Sequence, residues 1–330
     1  MHDIVAAACF RLIQVLLSPL GAVGYVIFVA RLIAYSRESG ASATVLASLY
    51  TRYMQHVLGS RRDEPAARLM AVMPNVPALG LLLSTAPTRV AHAVTGHVPR
   101  IYRYPYPGEP PIVHQSAART TFSDDVVARH LVHADQLVIL GAGFDTRAYR
   151  LPAGASVRCF EVDAPPTQAY KREMLAKAGV DPGPVRFVAA DFATEDWFAK
   201  LVAAGFDPDR PGVFIWESVT MYLPREAVVD ALRKISRTAP GTVVAFDYMS
   251  AELLASRSLF LRYARAVMAA SGEAWRFGID NTPPARARVA ELLTACGLVL
   301  AEQRNFGPET ARTRAPAGFA VAVVPPAGYR

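Results

Sequence analysis

QLVILGAGFDTRAYRL, residues 136–151, is the stretch on which the reading of the chain turns. An apolar run, Gln136–Leu140, meets the turn Gly141-Ala142-Gly143, and the turn reads as running on into a helix. A buried parallel strand that breaks into such a turn brings bare backbone N–H groups close to a ligand, at the positive end of a helix. About twenty residues further on, a second strand, 156–163, ends in Asp163, and that pairing is the sequence form of a site for a nucleoside with a ribose diol.

Two departures argue against a nicotinamide or flavin dinucleotide. Thr146 stands where the dinucleotide pattern wants a third glycine, and Asp145 puts a carboxylate where two phosphates would sit. A cationic nucleoside suits the turn better. S-adenosylmethionine has a ribose, an ammonium and a sulfonium but no phosphate. Asp145 equally suits a helix N-cap, and the two roles are compatible.

Outward from the turn, strand and helix alternate from Ser116, the signature of a parallel sheet covered on both faces. A helix is expected from Arg119 to His133, then the strand Gln136–Leu140, the strand 156–163 and a helix over Thr167–Ala178. The strand Val185–Ala190 leads to Asp191-Phe192, and Val213–Trp216 to Glu217. A helix over Pro224–Thr238 and a strand over Thr242–Asp247 follow. After an aromatic-rich insertion, 250–283, come a helix at Pro284–Cys296 and two last strands, Leu298–Asn305 and Gly318–Val324, expected to pair as an antiparallel hairpin. The expected fold class is α/β: a seven-stranded, Rossmann-like class I methyltransferase sheet with a C-terminal antiparallel hairpin, preceded by an N-terminal helical cap.

Asp163, Asp191 and Glu217 each close a different strand at its carboxyl end, where ligands of open α/β sheets bind. A diol needs a bidentate acceptor, which Asp163 supplies. An adenine amino group needs an acceptor beside an apolar wall, which Asp191 and Phe192 supply. Glu161, further inside the same strand, reads as a hydrogen-bonded structural acid.

The whole chain has 330 residues, 52% of them apolar, and a net charge of +7. That length can bury one large core with a smaller helical cap. Four of the 35 basic residues are lysine and no basic run carries interleaved aromatics, so a nucleic-acid face is not expected. Cys9, Cys159 and Cys296 form no CxxC pair. Neither a disulfide framework nor a metal site is expected, and a reducing, cytoplasmic compartment fits. Leu12 to Ala30 is an uncharged stretch of 19 residues bounded by Arg11 and Arg31, marginal against the about 20 apolar residues that span a bilayer. Pro19 should kink it. Two readings stand: membrane association, as a hairpin, monotopic or single-span anchor, and a buried cap segment. The organisation expected is 1–35 as this hydrophobic segment, 36–115 as a helical cap with a Pro/Tyr-rich linker, and 116–330 as the core with a substrate-capping insertion. Residues 36–95 are expected to form helices, for example Ala43–His56 and Ala66–Val72, with the helical run broken at Pro74, Pro77 and Pro87.

GAGFDTRAYRL (141–151), FEVDAP (160–165), AADF (189–192) and WESVTMYL (216–223) together resemble the leucine carboxyl methyltransferase family of S-adenosylmethionine enzymes, over about residues 115–325. The resemblance implies S-adenosyl-L-methionine as cofactor. It implies that Arg119, in SAART, grips the methionine carboxylate and that Gly141 makes a backbone contact in the turn it shares with Ala142, Gly143 and Asp145. Asp163 then holds the ribose, Asp191 with Phe192 the adenine, and Glu217 lies near the methionine amino group. The family's N-terminal lysine contact has no counterpart that can be placed, and Arg52 is the candidate from that side.

The expected reaction is O-methylation in secondary metabolism, favouring a carboxylate of a hydrophobic small molecule: a polyketide, terpenoid or lipid-like acid. A carboxylate is ionised at neutral pH and needs no base; Arg147 or Arg276 are candidates to orient it. A hydroxyl acceptor would need a base, for which His114 is the candidate. Phe260, Tyr263, Trp275 and Phe277 are expected to line the acceptor site. The non-enzymatic alternative is a membrane-attached binding protein with a vestigial cofactor site.

Overall fold

A computed structural model describes residues 2–39, 44–151, 156–183, 185–270, 273–310, 313–326 and 328. The chain divides into two compact units. One comprises the residues up to Pro107 together with Arg172–Asp181, and the other Gly108–Lys171 together with Pro182 onward.

The first unit carries α1 (His2–Leu16), α2 (Ser18–Ser39), α3 (Thr44–Val57), α4 (Glu64–Val72) and α5 (Ala78–Thr95). Its helix ends follow local chemistry. The Asp63 carboxylate accepts the Ala66 N–H at 3.2 Å to open α4, and Gly96, at φ 68°, closes α5. Left-handed backbone of this kind carries no Cβ penalty at glycine. Pro87 does not break its helix as the sequence suggests: α5 runs through it, with the ring buried and set against Gly21 of α2. The kink expected near Pro19 is present as a break between α1 and α2. Asp3–Leu16 and Ser18–Arg31 are bent by 62°, and no single helix among the described residues is long and apolar enough to cross a membrane.

The second unit is built on a seven-stranded sheet. Its helices and strands are α6 (Gln115–His130), β1 (Gln136–Leu140), β2 (Arg158–Asp163), the first part of α7 (Pro165–Ala178, of which Arg172 onward belongs to the first unit), β3 (Arg186–Ala189), α8 (Trp197–Ala203), β4 (Val213–Trp216), α9 (Arg225–Ile235), β5 (Val243–Met249), α10 (Ala251–Ala255), α11 (Leu259–Ala270), α12 (Ala285–Ala295), β6 (Val299–Phe306) and β7 (Ala317–Val323). The strand order is β3-β2-β1-β4-β5-β7-β6. β1 to β5 pair in parallel, and β7 runs antiparallel to both β5 and β6. The last two strands therefore form the expected hairpin, with β7 inserted beside β5. This is the α/β sheet of class I methyltransferases.

β1, β4 and β5 are buried along their whole length. Parallel strands covered on both faces read as continuous apolar runs. The order reverses between β1 and β4, which opens a crevice at the carboxyl ends of the strands. The insertion departs from expectation. Phe277 is 1% exposed inside the sheet core, whereas Phe260 and Tyr263 on α11 are 77% and 71% exposed. Of the four aromatics expected to line the acceptor site, Phe277 is the one withdrawn into the core, and Trp275 is partly buried.

Candidate functional site

The turn after β1 departs from the expected picture. Gly141 (φ 64°) and Gly143 (φ 41°) take left-handed backbone. A Cβ at Gly141 would overlap Val219 Cγ2 and lie 3.0 Å from Cγ1. The turn's N–H groups are spent on β2 instead of facing outward. Gly141 and Ala142 donate to the Val162 carbonyl at 2.8 and 3.3 Å, and Gly143 donates to Asp163 Oδ2 at 2.6 Å. Ala164 N–H donates to Asp163 Oδ1 at 2.7 Å. Each Asp163 oxygen thus holds one backbone N–H and keeps a second acceptor site. Burial pushes the Asp163 pKa up, and the two N–H donors together with Lys171 only partly offset it.

No α-helix follows the turn. Arg147–Arg150 form a single 3-10 turn, and Leu151 is extended. Leu151 precedes Pro152 in the sequence, and a residue before proline is pushed out of helical backbone. Asp145 is therefore no cap of an α-helix. Its Oδ1 accepts the Arg147 N–H at 2.7 Å, and its Oδ2 is ion-paired with Arg147 Nη1.

Arg147 is the hub of the site. Its side chain is 3% exposed; Nε meets Asp124 Oδ1 and Nη1 meets Glu217 Oε2, both at 2.6 Å, in addition to Asp145. One guanidinium joins α6, the glycine turn and the end of β4. Burial opposes its charge, and Asp145, Glu217 and Asp124 overcome that and hold its pKa well above the ordinary value. With these partners it positions the acids of the site, and it is not placed to orient an acceptor as the sequence suggested.

Arg119, 6% exposed, reaches from α6 to β5, where Nε and Nη2 both lie 2.9 Å from Asp247 Oδ2. Asp247 Oδ1 accepts the N–H of Ser218 at 2.6 Å, and the Asp247 carbonyl accepts the Thr220 hydroxyl at 2.7 Å. Ser218 has φ 62°, a backbone that costs a non-glycine residue roughly 1–2 kcal/mol. Asp247 therefore fixes both Arg119 and the strained turn that carries Glu217. Burial raises the Asp247 pKa, against the opposing pull of Arg119 and the Ser218 N–H, with Glu217 adding to the rise.

On the far side of β1, Ala190 N–H donates to the Asp163 carbonyl at 2.8 Å, which sets Asp191 beside Asp163. Asp191 Oδ1 accepts the Ala193 N–H at 2.7 Å. The Phe192 ring lies 5.6 Å from Trp197 and 6.1 Å from Trp216, so it walls the crest between β3 and β4. Beneath the turn, Glu161 accepts the Tyr149 hydroxyl at 2.8 Å and pairs with Lys171 Nζ at 2.7 Å, while Lys171 also donates to the Asp145 carbonyl at 2.9 Å. His114 closes a 3-10 turn just ahead of α6. Arg276 is exposed, its N–H donating to the Met221 carbonyl at 2.7 Å. Arg52, from the first unit, is buried within α3.

Asp124, Asp145 and Glu217 converge on the one guanidinium of Arg147 and Asp247 holds that of Arg119; Arg150, a quarter exposed, lies 3.6 Å from Asp124. Carboxylates gathered in this way favour a cation. Beside them stand a carboxylate with two acceptor sites open for a diol and an aromatic wall with an adjacent acid. This donor set fits a nucleoside that carries an ammonium and a sulfonium, and it opposes a pyrophosphate.

Comparisons with known proteins agree. The family model described as leucine carboxyl methyltransferase matches residues 100–236. A protein of Mycolicibacterium smegmatis, provisionally named an S-adenosyl-L-methionine-dependent methyltransferase, is 36% identical over 216 residues, covering 64% of this chain and 67% of that protein. One of the same provisional name from Mycolicibacterium vanbaalenii is 39% identical over 148 residues, covering 43% and 48%. The chain spans about half the length of the first curated relatives it matches. The solved mitomycin 7-O-methyltransferase MmcR aligns at a TM-score of 0.41 and 19% identity, over 64% of this chain and 56% of that one, a likeness too loose to draw on.

Proposed function

We propose that this chain, which belongs to the leucine carboxyl methyltransferase family, methylates a carboxylate of a hydrophobic small molecule, such as a polyketide, terpenoid or lipid-like acid, to a methyl ester. The observation that carries the reading is the convergence of three carboxylates on Arg147, seated against the glycine turn and Asp163. S-adenosylmethionine, when bound, supplies a methyl group on a sulfonium, already activated for in-line displacement. Asp163 would accept the ribose diol, Asp191 with Phe192 would hold the adenine, Glu217 would face the ammonium and Arg119 the methionine carboxylate.

The carboxyl acceptor is supported by the family's own description and by the state of the acids. Asp145, Asp163, Asp191, Glu217 and Asp247 each already accept a hydrogen bond or an ion pair. A hydroxyl acceptor would need one of them, or His114, as a base; a carboxylate needs none. The protein then contributes alignment and a preorganised field.

The test is transfer of labelled methyl from S-adenosylmethionine to a panel of lipophilic acids and phenols. Label on an acid that alkali releases as methanol is the expected result. Alkali-stable label on phenols would overturn the carboxyl assignment, and transfer to neither class would overturn the enzymatic reading.

A further inference from the structure

The three helices α1, α2 and α5 of the first unit are assembled inside out. Where α2 meets α5 the contact residues are small: a Cβ on Gly24 would fall on the backbone of Leu83 and Ser84, one on Gly80 would lie 3.1 Å from Phe28 N, and one on Gly21 would lie 3.0 Å from Pro87 Cγ. Between α1 and α5 the link is polar, with Gln14 Nε2 donating to Thr88 Oγ1 at 3.0 Å. Phe10 and Leu81 are buried, but most of the large apolar side chains point outward. Of twenty-one large hydrophobic residues exposed among the described residues, thirteen lie on these three helices, with Ile4 at 75%, Leu16 at 68% and Val94 at 69%. Water-soluble helix pairs bury such residues between them. Small residues and interhelical hydrogen bonds inside, with aliphatic chains outside, is the arrangement helices adopt in lipid.

We infer that this helical layer beds into the surface of an anionic lipid bilayer. Each arm of the bent pair, Asp3–Leu16 and Ser18–Arg31, has 14 residues, about 21 Å of helix, against about 30 Å of hydrocarbon. Neither arm crosses alone; the pair together has the length and composition of a broken span, and its 62° bend suits a re-entrant seat in the bilayer surface. Charge fixes the lipid. From Asp3 to Arg31 and along α5 the carboxylate is Asp3 alone, while Arg11 and Arg89 are exposed; Arg31, also exposed, donates from Nε to the Pro74 carbonyl at 3.0 Å. Arginines beside an apolar face meet anionic headgroups while their stems stay in the acyl boundary. A second copy of the chain would meet a surface of like charge, and it could cover one side of a layer whose apolar residues are spread over α1, α2 and α5. Lipid contact here holds whether or not the sheet site transfers methyl groups.

The experiment is co-sedimentation of the full chain with vesicles of phosphatidylglycerol and phosphatidylcholine, and with phosphatidylcholine alone, alongside sedimentation velocity without lipid. Binding to the anionic vesicles is expected. It should fall at least tenfold in a Leu16→Asp/Val26→Asp variant whose thermal unfolding is unchanged, since both positions are exposed. Arg11→Gln/Arg89→Gln should remove the preference for anionic over neutral vesicles. Wild-type protein that stays in the supernatant, or binding that both variants leave unchanged, overturns the inference. So does a dimer that Leu16→Asp/Val26→Asp dissociates in the absence of any vesicle binding, which would assign the face to a second copy.

Discussion

Replacing Arg147 with methionine keeps much of the side-chain volume and removes the charge that three carboxylates share. Taking one partner out of a buried ion pair costs about 3–5 kcal/mol, because the remaining charge stays buried without compensation. Arg147 is 3% exposed and serves Asp124, Asp145 and Glu217 together, so the upper end, about 5 kcal/mol, is expected. For a unit of this size each kcal/mol moves the midpoint by about 2–4 °C, which gives a drop of about 10–20 °C. The sign with pH follows. Without the guanidinium the three buried carboxylates lose their counter-charge, and taking up protons relieves them. The native state then binds more protons, so the penalty is largest at neutral pH and shrinks as pH falls toward about 4. Calorimetric unfolding of wild type, Arg147→Met and Arg147→Met/Glu217→Gln at several pH values reads this out, with the double variant recovering part of the loss. Arg147→Lys keeps a charge but cannot reach α6 and β4 at once, and should fall between the two. A methionine variant that melts with the wild type at neutral pH, or a loss that does not change with pH, would refute the reasoning.

Three further outcomes can be checked. Gly141→Ala meets both left-handed strain and the overlap with Val219 and should lose about 2–4 kcal/mol. Adding Val219→Ala should make the Gly141→Ala step less costly, whereas equal costs in both backgrounds would dismiss the overlap. Asp247→Asn loosens Arg119 and the Ser218 turn, so affinity for S-adenosylhomocysteine should drop about tenfold, near 1.4 kcal/mol, with methylthioadenosine, which lacks the amino-acid moiety, unaffected; parallel losses would mean a merely structural role. Because burial raises the Asp163 pKa, S-adenosylhomocysteine affinity should rise with pH through a value above the ordinary 3.9 or so of an aspartate. That rise should vanish in Asp163→Asn, and a flat wild-type profile would count against the ribose role.

Much of the sheet was legible because buried parallel strands leave uninterrupted apolar runs: β1 and β4 were read to the residue. What failed depends on contacts that a linear pattern does not carry. The glycine turn reads as the start of a helix, yet it makes one 3-10 turn and is extended at Leu151, the residue before a proline in the sequence. α5 reads as broken at Pro87, yet Gly21 leaves room for the ring. α8 is seven residues long, too short for periodicity to show. At the candidate site, Asp163, Asp191 and Glu217 were singled out by asking which acids end strands. The same question, put to the strand expected to end at Asp247, picks out the partner of Arg119. Arg147 had a weaker signal, an aspartate two residues before it. Nothing in sequence spacing discloses that Asp124, from the preceding helix, shares its guanidinium.

The central claim is that a phosphate-free, cationic adenosyl compound is held at the crest of the sheet by carboxylates. Isothermal titration of the purified chain with S-adenosylmethionine, set beside ATP and NADH, tests it most directly. Micromolar affinity for S-adenosylmethionine, lost in Asp163→Ala and not shared by either phosphate-bearing nucleotide, is the predicted result. No heat with S-adenosylmethionine at millimolar concentration, or binding of ATP or NADH as tight as its own, would contradict it.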